Sequence, residues 1–326
     1  MNKIKLPLAI ALLVVGASVL IPADAQNFPT RPLRIISPYS PGNSVDLASR
    51  LLAPNMSQDL GQPIVVENRP GGGGVIAINE LLAQPADGHT PLVPDAGHWA
   101  INPALQTMPY DFLRDMAPVG LIFTGPRYWM VSTSSPINTL QDLIALARAK
   151  PGVLNYGTPG SGTPHHMEAE VFRSSLGLDI KHIPYKGGSE TTEALLRGDI
   201  QLTFLAMSTM LPHVKAGKMR MLAVDTKTRF RVTPDVPTVS EITGIADFHF
   251  PGQLGMVARA GAPKPVIERL SAALGKAALS PDVVSRMLNS GGLDMTPTTP
   301  EQFAELIRED IKKYALAVKI SGAKPQ

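Results

Sequence analysis

Short runs rich in β-branched and aliphatic residues alternate with segments of helical periodicity along almost the whole chain. That alternation constrains the fold more than any other feature, because it is the pattern of α/β domains built on mostly parallel sheets. Residues 33–36, 64–66, 119–123, 129–132, 153–156, 180–183, 200–204, 221–224 and 254–257 read as strands. Among the helical segments, 45–60 places Ala48, Leu51, Leu52 and Met56 on one face, and 139–150, 165–176, 189–197, 263–279 and 300–318 behave similarly. The run Thr90-Pro91-Leu92-Val93-Pro94 is awkward as a strand, since each proline removes a ladder donor, and is expected at a sheet edge or end. Pro70 followed by Gly71 to Gly74 marks a turn with no P-loop lysine after it, and reads as a flexible surface turn.

The N-terminus reads as a secretory signal peptide. Lys3 and Lys5 give a positive start, an apolar run extends from Leu6 to Ile21, and Ala23-Asp24-Ala25 supplies the small residues of a cleavage site. A mature chain would begin at Gln26 and occupy the periplasm, with no later stretch apolar enough to span a membrane. The chain has no cysteine, so it can carry neither a disulfide framework nor a lipid on a cysteine after the signal. Its stability must come from large cores, and about 300 mature residues suit two domains. The expected division is a signal at 1–25, a first domain from 26–127 plus 226–326, and a second from 128–225. Cleavage would leave 28 basic against 26 acidic residues, too even a balance to suggest nucleic acid. Anion binding, if present, must be local.

Two loops share a design suited to that. Tyr39-Ser40-Pro41-Gly42-Asn43-Ser44 joins the first strand to the helix beginning near Val45, with Ser44 as its expected N-cap and Asp46 in its first turn. Thr158-Pro159-Gly160-Ser161-Gly162-Thr163-Pro164-His165 joins a later strand to a helix that Thr163 caps, with Pro164 at its first position. Free amides, small hydroxyls and a helix N-terminus bind anions without a full basic charge, so the two loops could hold one carboxylate between them. Both are equally well explained as ordinary capped helix starts. His165 stands where it could donate to such a ligand. His98-Trp99 could form packing, a ligand-facing wall or both, and Tyr185-Lys186 is a third candidate wall. Lys186 reads more simply as a solvated loop charge. Arg127, at the proposed domain crossing, either meets a second ligand carboxylate or makes an exposed salt bridge.

Catalytic signals are weak. Gly42-Asn43-Ser44-Val45-Asp46 begins like a nucleophile elbow but lacks its final glycine. His166 and Glu170 have metal-ligand spacing without a visible third ligand, and Glu168 and Glu170 read more simply as solvent-facing glutamates. No cofactor or metal is implied, and a monomer is the default.

Several ordered motifs carry a family resemblance. They include Phe28-Pro29-Thr30-Arg31-Pro32, Ser37-Pro38-Tyr39-Ser40-Pro41-Gly42, Gly61-Gln62-Pro63-Ile64-Val65-Val66-Glu67-Asn68-Arg69-Pro70-Gly71 and Ala100-Ile101-Asn102-Pro103. Further along stand Asn155-Tyr156-Gly157, His182-Ile183-Pro184-Tyr185-Lys186-Gly187, Leu211-Pro212-His213-Val214-Lys215-Ala216-Gly217-Lys218 and Asp235-Val236-Pro237-Thr238-Val239-Ser240-Glu241. Over nearly the whole mature chain the sequence resembles the Bug (Bordetella uptake gene) receptors, the periplasmic solute-binding components of tripartite tricarboxylate transporters. The resemblance implies a type II periplasmic-binding-protein fold, two α/β domains closing on a ligand at their interface. It also implies that Tyr39 to Ser44 and Ser161 to His165 grip a ligand carboxylate, and that the closed form is read by a membrane permease.

Departures from the family bear on the ligand. Many members carry an acid after the strand corresponding to 200–204 that can meet a ligand amine; here the stretch is Phe204-Leu205-Ala206-Met207. A buried ammonium without a counter-charge is costly, so the expected ligand is a dicarboxylate with an apolar or aromatic body, walled partly by His98 and Trp99. A sensory receptor that shows its closed form to a signalling partner fits the same sequence. A periplasmic hydrolase on this scaffold would need a nucleophile with its base, or three metal ligands, and neither is visible.

Overall fold

The computed structural model describes residues 28–41, 44–161, 163–246, 248–291 and 293–321, the side chains of 44, 208 and 289–291 excepted. The expected signal peptide lies outside the described residues. No helix among those described is long and apolar enough to cross a membrane.

Along the chain come β1 (Leu33–Ser37), α1 (Ser44–Leu60), β2 (Ile64–Asn68) and α2 (Val75–Ala83). A wide helical turn, Gly97–Ile101, leads into α3 (Asn102–Leu105) and α4 (Phe112–Asp115). Then follow β3 (Met116–Gly125), β4 (Arg127–Ser132), α5 (Leu140–Ala149), β5 (Asn155–Thr158), α6 (Pro164–Leu176), β6 (Lys181–Pro184) and α7 (Gly188–Arg197). The remainder is β7 (Leu202–Ala206), α8 (Met207–Lys215), β8 (Met219–Val224), α9 (Val239–Thr243), β9 (Gly252–Arg259), α10 (Lys264–Ala278), α11 (Pro281–Gly291), β10 (Asp294–Met295) and α12 (Pro300–Ser321). Each expected strand is present. The helices α2, α3, α4, α8, α9 and α11 are additional.

Two sheets organise these elements. In the first, β1 pairs in parallel with β2, and β3 pairs antiparallel with both β9 and β10. Leu92 joins the halves, bridging Ile36 on one side and Val257 on the other. The proline-flanked segment therefore sits inside the sheet, not at its edge. Its prolines fall where only acceptors are needed: the Pro91 and Pro94 carbonyls accept from Ile36 and Gly255, while the Leu92 and Val93 amides donate to Val257 and Ile36. The second sheet runs β6-β5-β7-β4-β8. Its β5 is parallel to β6 and β7, whereas β4 is antiparallel to β7 and β8. The antiparallel strands β3, β4, β8 and β9 are those through which the chain leaves and re-enters the first sheet, so the sheets are mixed where mostly parallel ones were expected.

The crossing is short. β3 ends at Gly125 and β4 starts at Arg127, leaving Pro126 alone between the sheets. The return is longer: Thr238 still bridges Val224, and Phe230 and Val236 pack in a cluster with Tyr128 and Met130. Residues 226–243 thus remain with the second sheet, and the chain rejoins the first only as β9 begins at Gly252. Helix α12 ties the two units together. Phe303 packs edge-on to Trp99 beneath the first sheet, while Ser321 Oγ reaches the Met167 sulfur on α6, in the second unit.

Arg127 locks the crossing from inside. It is buried rather than exposed: its guanidinium faces Glu168 Oε2 at 3.3 Å, Asp225 Oδ2 at 3.7 Å and the Phe250 carbonyl. Its amide donates to Asp225 Oδ1 at 2.7 Å and its carbonyl accepts from the Asp225 amide at 3.1 Å, so the two crossing strands are clamped side by side. Glu168 also accepts from Trp129 Nε1 at 2.9 Å, and Trp129 lies between Phe172 and Phe204. Glu168 and Glu170 are buried where solvent-facing glutamates were expected, because α6 is packed on more than one side: Glu168 meets Arg127 and Trp129, while Glu170 takes Tyr156 OH at 2.6 Å and pairs with Arg173. Burial, reinforced by Asp225, pushes Glu168 well above the usual carboxylate range against the pull of Arg127.

Removing Arg127 leaves two buried acids facing each other. Arg127→Met is expected to cost about 3–5 kcal/mol, read from urea denaturation; wild-type stability would contradict the clamp. Folded Glu168 keeps its proton where the unfolded chain has released it, so its contribution to stability falls as pH rises above the ordinary glutamate value of about 4.3. Glu168→Gln should therefore flatten the decline in melting temperature between about pH 5 and pH 8. An unchanged slope would rule out Glu168 as its source.

Candidate functional site in the cleft between the sheets

A cavity of about 370 Å³ opens between the two units, within the range that holds small ligands. Pro38, Tyr39 and Ser40, after β1, line it from the first unit; Ser161, Thr163 and Pro164, at the start of α6, line it from the second. The chain thus brings together the two loops that the sequence singles out. Each follows a strand at its carboxyl end, where open α/β sheets bind ligands.

Local chemistry fixes these loops. Thr163 is the N-cap of α6, its Oγ1 accepting from the His166 amide at 3.3 Å and donating to the Gly160 carbonyl at 2.8 Å. Pro164 opens the helix, where its missing amide costs no hydrogen bond. On the other side Asn68 Nδ2 donates to the Tyr39 carbonyl and to Asp46, tying the loop to β2 and the first turn of α1. Ser44 is the first residue of α1, but its side chain, together with Gly42, Asn43 and Gly162, lies outside the described residues.

The third wall was not foreseen. Pro70, Gly71, Gly73 and Gly74 line the cavity and lead directly into α2, so the glycine run is part of the cleft. All four glycines have positive φ, from +58° to +118°, a turn that only glycine makes cheaply. A Cβ on Gly74 would stand 2.0 Å from His98 Cδ2 and 2.2 Å from Nε2. Asn102 holds the run in place by donating to the Gly73 carbonyl at 2.9 Å, and Ile101 adds an apolar patch. The usable signal in the sequence was four consecutive glycines immediately before an apolar helical run.

The structure separates the His98-Trp99 pair. His98 lines the cavity, whereas Trp99 is fully buried, donating from Nε1 to Asp310 at 3.1 Å and packing on Phe112 and Phe303. Trp99 is a core residue and builds no ligand wall. His98 is fixed by Asp95, which the sequence reading passed over: Nδ1 lies 2.7 Å from Asp95 Oδ1, and Tyr39 OH donates to Oδ2 at 2.5 Å. Burial raises the Asp95 pKa, but the His98 ring, its hydrogen bond and those from Tyr39 and Gly97 outweigh it and hold the carboxylate below its ordinary range. Burial, with the charge of Asp95, pushes the Tyr39 phenol well above its usual value, so it stays protonated and donating.

The remaining candidates fall beside the cavity. His165 lies behind the lip; its Nδ1 is buried with no hydrogen-bond partner among the described residues, and burial followed by the Arg127 charge keeps the imidazole neutral. Tyr185 supports the second loop from below, its amide donating to the Thr158 carbonyl at 2.9 Å. Lys186 is an exposed loop residue whose amide donates to Glu190. Arg127 is used up in the crossing. Among the described residues lining the cavity there is no lysine, arginine, aspartate or glutamate. The polar groups on its walls are helix N-termini, amides, small hydroxyls and one imidazole.

A cleft between two α/β units at the carboxyl ends of their strands is the architecture of periplasmic binding proteins, and solved proteins of that class superpose on this chain. Residues 48–322 match the family model described as the tripartite tricarboxylate transporter family receptor, TctC, and the chain belongs to that family of periplasmic solute-binding receptors rather than to an enzyme class. Protein BugT of Bordetella pertussis is 31% identical over 326 residues, covering 99% of each chain. Among solved structures, a protein of R. palustris with adipate is 29% identical, covers 92% of this chain and 100% of its own, and superposes with a TM-score of 0.78. MatC of Rhodopseudomonas palustris with bound malate is 27% identical over 89% of this chain and all of its own, with a TM-score of 0.73.

Two glycine substitutions separate strain from contact at this site. Gly74→Ala combines a left-handed backbone with displacement of His98, whereas Gly61→Ala, at φ +72°, meets nothing within 4 Å. Each is expected to cost about 1–2 kcal/mol of backbone strain, with Gly74→Ala costing a further 1–3 kcal/mol or so for the displaced ring. Equal losses in urea denaturation would mean that His98 is not seated against Gly74.

Proposed function

We propose that this chain captures a small dicarboxylate with an apolar body in the periplasm and delivers it, by domain closure, to the permease of a tripartite tricarboxylate transporter. The observation that carries the reading is the cavity lined jointly by Tyr39 and Ser40 from one unit and Ser161 and Thr163 from the other. A ligand shifts a hinge equilibrium only if it binds the closed form better, and contact with both loops provides that difference. The N-termini of α1 and α6 would supply about 0.3–1 kcal/mol each to a carboxylate, and up to ~2 kcal/mol where partly buried. Pro38, Pro70, Ile101 and Pro164 offer the apolar surface for the ligand body. Relatives solved with adipate and with malate support the ligand class.

Export through a cleaved signal at 1–25 completes the proposal, with Tyr39, Gly42, Asn43, Ser44, Ser161, Gly162, Thr163 and His165 around the first carboxylate. Tyr185 and Lys186 take a supporting place beside the second loop.

Thermal shift of the mature chain against aliphatic and aromatic dicarboxylates, citrate, acidic amino acids and monocarboxylates tests this directly. A ligand at ~100 times its Kd stabilises by about 2.7 kcal/mol, a shift of a few degrees. Dicarboxylates should give the largest shift. Thr163→Ala, which removes a cap worth ~1 kcal/mol and a cavity hydroxyl, should weaken binding severalfold with the fold retained. Stabilisation by glutamate alone, or unaltered affinity in Thr163→Ala and Ser44→Ala together, would refute the cleft as described.

A further inference from the structure

The second lip of the cleft takes its shape from side chains that are not on the cavity wall. Gly160 stands just before Ser161, at φ +147°, and its carbonyl accepts two hydroxyls, Thr158 Oγ1 at 2.9 Å and Thr163 Oγ1 at 2.8 Å. Thr158, the last residue of β5, is fully buried, so the carbonyl is drawn towards the interior of the second unit. A trans peptide is planar, and its C=O and N–H point in opposite directions. Turning the Gly160 oxygen inwards therefore turns the Ser161 amide outwards, on the side where Ser161 meets the cavity. The reverse setting of that peptide would show a carbonyl oxygen to an incoming carboxylate.

Thr158 is oriented in turn by His182, on the neighbouring strand β6. Its Oγ1 lies 2.7 Å from His182 Nε2 and accepts from the Gly160 amide at 3.4 Å. A hydroxyl has one proton, and that proton goes to the Gly160 carbonyl, so all these contacts are met together when Nε2–H donates to Oγ1. The imidazole is held flat for this between two rings: His166, 4.1 Å away and 14° from parallel, and Tyr156, 4.9 Å away. Tyr156 is itself fixed by its bond to Glu170 on α6. Burial, followed by the His166 ring, pushes the His182 pKa down to about 4, so near neutral pH the ring carries a single N–H. The Thr158 backbone is pinned as well, its carbonyl accepting from the Tyr185 amide at 2.9 Å.

Within the carboxylate-receptor reading, we propose that Thr158 and His182 are positioning residues of the binding site: they hold the Gly160–Ser161 peptide in the setting that aims the Ser161 amide at the ligand carboxylate. Both act from behind the lip, through the Gly160 carbonyl. A donor set in place before the ligand arrives spares the ordering cost that binding would otherwise carry.

Thr158→Val keeps the shape of the side chain and removes the hydroxyl; Thr158→Ser gives the hydroxyl back. Calorimetry of the wild-type mature chain against the series succinate to sebacate first identifies its tightest dicarboxylate. Thr158→Val should weaken that ligand by about threefold to tenfold, and Thr158→Ser should return it to within about twofold of wild type. His182→Leu should also weaken it, with His182→Gln, whose amide can donate in the same place, recovering most of the loss. A further reading needs no variant to fold: in the wild type the Ser161 amide proton should move downfield in the NMR spectrum as the dicarboxylate saturates. A role in stability alone would lower the melting temperature of Thr158→Val and leave its affinity unchanged. That result, a Thr158→Ser as weak as Thr158→Val, or a Ser161 amide that does not respond to the ligand would each overturn the assignment. Failure of every dicarboxylate to bind the wild type would defeat the receptor reading itself, and this assignment with it.

Discussion

The architecture depends on how a chain crosses between two sheets without leaving a soft joint. Arg127 makes that crossing rigid. Its backbone is clamped to Asp225, its guanidinium is shared between Glu168 and Asp225, and Pro126 is the only residue between strands of different sheets. Two acids around one cation is not the most stable arrangement for a buried site, and an apolar replacement of the whole cluster would often cost less. What the cluster provides is a common point where β4, α6 and the end of β8 meet the segment that returns to the first sheet. Helix α12 reinforces that point from Phe303 to Ser321.

With Arg127 committed to the joint, the cleft has no basic side chain among its described lining. What it presents to an anion is helix N-termini, the Ser161 hydroxyl and the backbone of the glycine run before α2. Such donors are directional and cost little to reorganise, which suits a receptor that must both hold and release its solute.

Much of this was legible in the sequence. The alternation of strands and helices gave the fold, and the loop chemistry of Thr163 and Pro164 located one lip of the cleft, because capping is decided by neighbours in the chain. What escaped was decided by tertiary contact. Trp99 and His98 are adjacent in sequence, yet the helical turn at 97–101 sends one into the core and the other to the cavity. Glu168 and Glu170 gave no sign of burial, since their partners Trp129, Arg127 and Tyr156 lie far along the chain. The segment around Leu92 looked unfit for a sheet interior until its neighbours showed that its prolines face positions needing only acceptors.

The central claim is that a dicarboxylate brings the two units together. The chain has no cysteine, so paired spin labels can be introduced cleanly. Ile76, at the glycine-run lip, and Ser189, at the start of α7, are both exposed. With labels on Ile76→Cys and Ser189→Cys, pulsed electron–electron resonance should show a shorter interspin distance when adipate or a tighter dicarboxylate saturates the protein. The distance should stay at its unliganded value with a solute that does not bind. A saturating dicarboxylate that leaves the distance unchanged would contradict closure as the response to the ligand.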